Sequence, residues 1–168
     1  MSQTAKVLTA MVAYYAGDAP RVHHFLKVYA FAKAIGEQEG LPAETQEVLE
    51  IAALTHDIGI KISEEKYGSS AGPYQELEGP DAARALLAPF GLPHIWLERI
   101  CWLIAHHHTY SAVDGIDCRI LMEADFLVNA YEDKLSLESI RKAREALFRT
   151  ATGIAFLDQM YLSDKHKE

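Results

Sequence analysis

The sequence contains only two cysteines, Cys101 and Cys118, and they lack the paired spacing of a zinc-binding motif. We interpret both as core thiols. No apolar run approaches the roughly 20 residues that a membrane-spanning helix needs. The N-terminus lacks the basic start and apolar middle of a signal peptide. We therefore expect a cytoplasmic protein that does not act at a membrane.

Positive charge is also scarce, because 16 Lys and Arg residues face 24 Asp and Glu residues, which gives a net charge of −8. This balance opposes sequence-independent binding to the phosphates of an extended nucleic acid. An anionic small-molecule substrate is compatible with it if a local cation neutralises the substrate. The 168 residues are enough to bury a substantial core within one domain.

Strand-like alternation is absent, and apolar residues recur at steps of three and four, which predicts an all-α helical bundle. We expect a single domain over residues 1–168, with packing helices at about 136–162. Those amphipathic helices are also compatible with a homodimer. The predicted helices are 4–16, 18–39, 42–59, 79–90, 94–107, 117–131, 137–152 and 153–162, with an irregular loop over 60–79.

Several of the eight histidines, and two aspartates, lie on apolar helical faces. His24 shares a face with Val28, while His56 and Asp57 close an apolar run, and Asp125 lies in the middle of an apolar stripe. An unpaired carboxylate in such surroundings is costly. A divalent metal ion would satisfy these groups together, because His and Asp are both good ligands for it.

The triplet of residues 106–108 consists of histidines, and at least one of them must point toward the apolar face of its helix. Ile104 and its neighbours on that face favour His107, with His108 as the nearest competitor, and the remaining imidazole faces water or substrate. Four predicted helices therefore each present His or Asp inward. One shared metal centre explains this pattern better than four unrelated polar side chains that are each satisfied separately.

The order of these residues and their local sequences resembles the HD superfamily of metal-dependent phosphohydrolases. The matching segments are 24–32, 52–59 and 123–127, and the resemblance spans about residues 20–131. It implies a helical bundle of the HD-domain type. It also implies that His24, His56, Asp57 and Asp125 bind a divalent ion, which is Mn, Fe, Mg, Ni, Co or Zn in such proteins. The implied substrate is a small phosphate ester, either a phosphomonoester or a nucleotide.

A bound cation would activate water and polarise a phosphoryl oxygen. Asp57 is our candidate for activating the nucleophile, and His107 and His108 are further catalytic candidates. Members with two metals have an additional His where this chain has Glu78 or its neighbours. Glu78 is either a ligand, as a carboxylate can be, or part of a solvated acidic loop. We expect one ion, with a second at Glu78, His107 and His108 left open.

Lys61 and Lys66 are predicted to bind the substrate phosphate as point charges, with Lys27 and Arg21 as further candidates. Each of them also fits an ordinary surface position. Two other functions fit the same resemblance. One is a di-iron oxygenase on this fold, and the other is a non-catalytic regulatory module that binds a metal and a nucleotide.

Overall fold

The computed structural model describes residues 2–163, and within that range every regular element is helical. The predicted all-α class is therefore confirmed. None of the helices in this range is both long enough and apolar enough to cross a membrane. The predicted domain span of 1–168 also includes residue 1 and residues 164–168, which lie outside the described part of the chain.

Nine α-helices follow one another between residues 2 and 163, with a 3₁₀ turn after α5 and a π-helical turn after α9. The bounds are α1 Gln3–Tyr14, α2 Ala19–Gln38, α3 Ala43–Thr55, α4 Gly59–Tyr67, α5 Gly72–Leu87, the 3₁₀ turn Ala88–Phe90, α6 His94–His106, α7 Gly115–Glu132, α8 Leu137–Ala146, α9 Ala151–Leu157 and the π-helical turn Asp158–Leu162.

Helix α3 lies at the centre of the bundle, because it packs against α1, α2, α6 and α7. Every residue from 48 to 56 is buried, which agrees with its nearly continuous apolar sequence. Helix α2 packs against both α3 and α7. The predicted ligands His24 on α2, His56 directly after α3 and Asp125 on α7 therefore come from elements that are direct neighbours at the core.

The prediction of an irregular loop over 60–79 is wrong. Helix α4 covers Gly59–Tyr67 and ends at Gly68, whose φ of +63° is the left-handed conformation that glycine adopts readily. Helix α5 already begins at Gly72 and continues through Pro80. We predicted that the Gly79-Pro80 pair begins a helix, but the pair lies within α5. Gly79 allows α5 to pack closely against Ile104, because an added Cβ would lie 2.5 Å from Ile104 Cγ2.

The predicted helix 137–152 is also too long, since α8 ends at Ala146. Thr150 begins α9 by accepting the backbone N–H of Gly153. The buried carboxylate of Glu123 on α7 accepts the backbone N–H groups of Arg149 and Thr150, at 2.6 and 3.1 Å. These tertiary hydrogen bonds satisfy backbone donors that a continuous helix would have satisfied internally, so the break is stable.

Candidate metal centre

Four side chains from three neighbouring parts of the bundle meet at one point. His24 Nε2 lies 3.2 Å from Asp57 Oδ2, 3.3 Å from Asp125 Oδ1 and 3.3 Å from His56 Nε2. His56 Nε2 lies 3.3 Å from Asp57 Oδ2 and 3.4 Å from Asp125 Oδ1. The structure thus brings together all four residues predicted to bind the metal ion.

The spacing of these four atoms fits a metal ion. Two atoms about 3.3 Å apart that bind one ion at a tetrahedral angle each lie about 2 Å from it, which is the usual bond length from a transition metal to His nitrogen or carboxylate oxygen. Asp125 Oδ1 is buried and has no hydrogen-bond donor. An oxygen in that position is costly unless a cation or donor satisfies it, so the donor set matches a divalent ion.

The second ring nitrogen of each histidine is held by a hydrogen bond. His56 Nδ1 lies 2.8 Å from the carbonyl oxygen of Ala53, and His24 Nδ1 lies 2.9 Å from the carboxylate of Glu132. When Nδ1–H donates in this way, Nε2 is the nitrogen that remains for the cluster, which is the arrangement typical of metal-binding histidines.

The backbone that carries Asp57 is held by helix α1. Only residues 56–58 separate α3 from α4, so the Asp57 side chain leaves a short turn. Tyr15 Oη donates to the carbonyl oxygen of Asp57 at 2.7 Å, and Tyr14 Oη donates to that of Ile58 at 3.3 Å. The first helix therefore has a role in positioning the site as well as in packing.

The histidines and aspartates of the cluster shift the pKa values of one another. Burial opposes protonation of His24, but the nearby carboxylates of Asp125 and Asp57 outweigh it and raise the His24 pKa to about 11. The same carboxylates outweigh burial at His56 and raise its pKa to about 10. Burial would raise the Asp57 pKa, but His56, His107 and His24 together lower it well below its usual value. Without a metal ion, the imidazoles supply the positive charge that the carboxylates require.

We expect metal affinity to rise with pH. With pKa values of about 11 and 10, His24 and His56 are protonated at neutral pH in the metal-free protein. A cation must displace these protons, and each displaced proton strengthens binding about tenfold per pH unit. Isothermal titration calorimetry between about pH 6 and pH 8 measures this slope. A metal dissociation constant that does not change over that range would contradict the assignment of His24 and His56 as metal ligands.

A second group of ligand atoms lies on the other side of Asp57. Asp57 Oδ1 is 3.4 Å from His107 Nε2, while the ligand atoms of Asp57, His107 and His108 all lie within 4.8 Å of one another. His107 Nδ1 is 2.8 Å from the carbonyl oxygen of Ile104, so its Nε2, which has no hydrogen bond, faces Asp57. The two oxygens of Asp57 therefore face two separate groups of imidazoles.

The three consecutive histidines have different surroundings. His107 is buried beside Asp57, His108 lines an open cleft, and His106 stacks on Trp102 with ring centroids 4.1 Å apart. Burial and the charge of His107 lower the His108 pKa to about 4. His108 is therefore neutral at physiological pH, with Nε2 3.3 Å from Gln75 Oε1.

The structure places three other predicted site residues away from this cluster. Glu78 accepts hydrogen bonds from Lys66 Nζ at 2.8 Å and Tyr67 Oη at 2.7 Å. Lys61 Nζ lies over the Tyr14 ring, 5.1 Å from its centroid. None of Lys61, Lys66 and Glu78 lines the cleft. The predicted loop is helical, so these side chains leave α4 and α5 on faces that point elsewhere.

Contacts among residues 66–78 hold one wall of the cleft in position. The rings of Tyr67 and Tyr74 stack with centroids 4.3 Å apart, which joins the end of α4 to the start of α5. Gln75 Nε2 donates to the carbonyl oxygen of Ser70 at 2.6 Å. Ser70, Gly72 and Gln75 all line the cleft. The connection between α4 and α5 thus shapes the entrance to the candidate metal centre.

The cleft has a volume of about 460 Å³, and His24, Asp57 and Asp125 line it. The sequence reasoning missed several other residues of its lining. The helical spacing of α7 contained a signal for two of them, because Asn129 and Glu132 follow Asp125 by four and seven residues and share its face. The full lining is Tyr15, Pro20, Arg21, His24, Phe25, Asp57, Ile60, Ser70, Gly72, Gln75, His108, Asp125, Asn129, Glu132 and Asp133.

Comparisons with known proteins agree with this architecture. The chain is similar to the crystal structure of a predicted HD superfamily hydrolase from an uncultured Thermotogales bacterium, with a TM-score of 0.68 and 22% sequence identity. The match covers 94% of this chain and 84% of that one, and at this identity it supports the fold. No curated protein matches the chain. The family model of the HD domain matches residues 21–130, which include all four proposed ligands. The chain therefore belongs to the HD domain family.

Proposed function

We propose that this protein is a metal-dependent phosphohydrolase that acts on a small phosphate ester. The observation that carries the proposal is the position of the four-atom cluster at the floor of a cleft. His24, Asp57 and Asp125 line that cleft, and His56 lies fully buried behind them. A divalent ion bound there supplies a Lewis acid for a phosphoryl oxygen and lowers the pKa of water.

The chain's own side chains then have separate roles. His24, His56, Asp57 and Asp125 would hold the cation, and Asp57 is our candidate for accepting a proton from an attacking water. His108 is neutral and borders the cleft, so it can orient a water or a phosphoryl oxygen by hydrogen bonding.

Arg21 is our candidate for the cationic side chain that binds the phosphate. Among the described residues that line the cleft, it is the only Lys or Arg. Its guanidinium is held by Asp18 at 3.0 Å and by Glu64 at 2.5 Å, which fixes its direction. Arginine suits this role because its planar fork of N–H donors matches the oxygens of phosphate.

The charge of the cleft favours a substrate with a single phosphate. Its lining contains the carboxylates Asp57, Asp125, Glu132 and Asp133 against the one cation of Arg21. One divalent ion leaves this set negative, also when Lys27 beside Glu132 and the two carboxylates that pair with Arg21, Asp18 and Glu64, are counted. A further phosphate or carboxylate on the leaving group would therefore be repelled. The volume of about 460 Å³ is within the range of small-molecule sites.

We expect metal-restored protein to hydrolyse phosphomonoesters, with at least about a tenfold preference for neutral over anionic leaving groups of similar size. The test is elemental analysis of the purified protein, followed by a phosphate-ester panel assayed with the identified metal added back. Chelator-treated protein is the control and should be inactive.

Arg21→Gln should raise KM, whereas Arg84→Gln, which removes a surface ion pair with Glu98, should not. Absence of turnover across the panel by the metal-loaded protein would contradict the proposal.

The second group of ligand atoms favours one alternative, a di-iron oxygenase on the same fold. Asp57 directs one oxygen toward His24 and His56 and the other toward His107, so these residues would hold two iron ions, which would supply the activation of dioxygen. Two retained iron atoms for each chain, with substrate-dependent oxygen uptake and no ester hydrolysis, would favour the oxygenase.

A further inference from the structure

The carboxylate of Glu132 lies behind the imidazole of His24, on the side away from the candidate metal centre. Glu132 Oε2 is 2.9 Å from His24 Nδ1, and Glu132 Oε1 is 2.5 Å from Lys27 Nζ. Both carboxylate oxygens are therefore engaged. Lys27 follows His24 by one helical turn on α2, and Glu132 is the last residue of α7.

Glu132 contacts a different nitrogen of the His24 ring from the one that faces the candidate metal centre. Nδ1 and Nε2 point outward from different sides of the ring, and Nε2 is the nitrogen that lies 3.2 to 3.3 Å from Asp57, Asp125 and His56. A carboxylate bonded to Nδ1 accepts its proton, which leaves the Nε2 lone pair for a cation. Glu132 thus acts on the centre through His24.

The same contact joins the two helices that supply half of the ligand set. His24 comes from α2, while Asp125 lies on α7 two turns before Glu132. A chain of contacts from Lys27 through Glu132 to His24 therefore fixes both the rotation of the imidazole and the separation of α2 from α7. Lys27, a candidate for phosphate binding by sequence, lines a different groove and is paired with Glu132.

We propose that Glu132 is a positioning residue that sets the tautomer and orientation of His24 for metal binding, with Lys27 holding the Glu132 carboxylate in place. This inference rests on the proposed metal-dependent function. It adds a role for two residues that do not contact the ion, and it explains why an acidic side chain stands at the edge of a cleft that already contains several carboxylates.

The test measures the Co²⁺ dissociation constant of the intact protein by competition with a chelator. Glu132→Ala removes the acceptor for Nδ1–H and should weaken Co²⁺ binding about 10- to 100-fold, as loss of such a partner typically does. Glu132→Gln keeps an oxygen that can accept the same hydrogen bond, so it should retain more affinity than Glu132→Ala. Lys27→Met leaves the Glu132 to His24 contact and should have the smallest effect of the three.

Two further measurements separate positioning from simple helix packing. Proton NMR of the Co²⁺-loaded protein should show the exchangeable Nδ1–H resonance of His24, and this signal should be lost in Glu132→Ala but kept in Lys27→Met. Glu138→Ala, which breaks an exposed pair with Lys142 on α8, is the matched control and should bind Co²⁺ like the wild type.

Wild-type affinity and an unchanged Nδ1–H signal in Glu132→Ala would overturn the inference while leaving the proposed function intact. An equal loss in Glu138→Ala would overturn it as well, because the effect would then be unspecific. A wild-type protein that binds no divalent ion at all would overturn the proposed function, and this inference with it.

Discussion

Asp57→Ala is expected to lose bound metal and catalytic activity together. Asp57 contributes Oδ2 to the four-atom cluster with His24 and His56, and its Oδ1 faces His107. No neighbouring carboxylate can replace both contacts. We expect activity to fall by at least about 1,000-fold, which corresponds to about 4 kcal/mol of transition-state stabilisation. Elemental analysis and steady-state kinetics on the same preparation measure the two losses.

The control for Asp57→Ala is Asp158→Ala, which removes a carboxylate that pairs with Arg144 away from the cleft. This variant should keep its metal and its activity. Circular dichroism and thermal melting should show that both variants are folded. Full metal occupancy in Asp57→Ala would contradict the assignment of the centre, even if its activity were low.

Gly59→Ala is expected to destabilise the protein and to disturb the cleft. Gly59 is the first residue of α4, and a Cβ there would lie 2.6 Å from the carbonyl oxygen of Gln75 and 2.9 Å from the backbone nitrogen of Gly79. These are backbone atoms, so relief requires a shift of α5 as a whole. Such overpacking costs about 1 to 3 kcal/mol, and the better helix propensity of alanine, about 1 kcal/mol, offsets part of it.

The shift of α5 should also be visible in activity, because Gln75 lines the cleft and lies beside His108. For a chain of this size, each kcal/mol lowers Tm by about 2 to 4 °C. Gly17→Ala is the control, since an added Cβ there meets no atom within 4 Å and the strain comes only from its φ of +86°. A Gly59→Ala protein with wild-type Tm and wild-type KM would show that α5 tolerates the methyl group at this position.

Particular residues show how far sequence reasoning reached. The apolar surroundings of His24 and Asp125 indicated inward-facing polar groups, and the structure places these two side chains 3.3 Å apart. The recognised HD family is confirmed by the family model that matches residues 21–130. Local pattern was sufficient here because an amphipathic helix determines which of its side chains face the core.

The same reasoning was wrong where glycine and proline had a tertiary role. Gly79 and Pro80 have the composition of a helix start, but they lie inside α5, where Gly79 allows the helix to approach Ile104. The break after Ala146 depends on Glu123, which is more than 20 residues away in the sequence. A one-dimensional pattern contains no information about such partners.

The sequence by itself determined the helical class, the family and the identities of four residues that meet at the candidate centre, because these depend on periodicity and on local motifs. Only the tertiary structure decided that Asp57 faces two groups of imidazoles, that His107 is buried while His108 borders the cleft, and that Glu132 supports His24. It also placed Arg21, and neither Lys61 nor Lys66, in the cleft. The physical reason is that these features depend on how helices cross, and a crossing is set by side chains distant in the sequence.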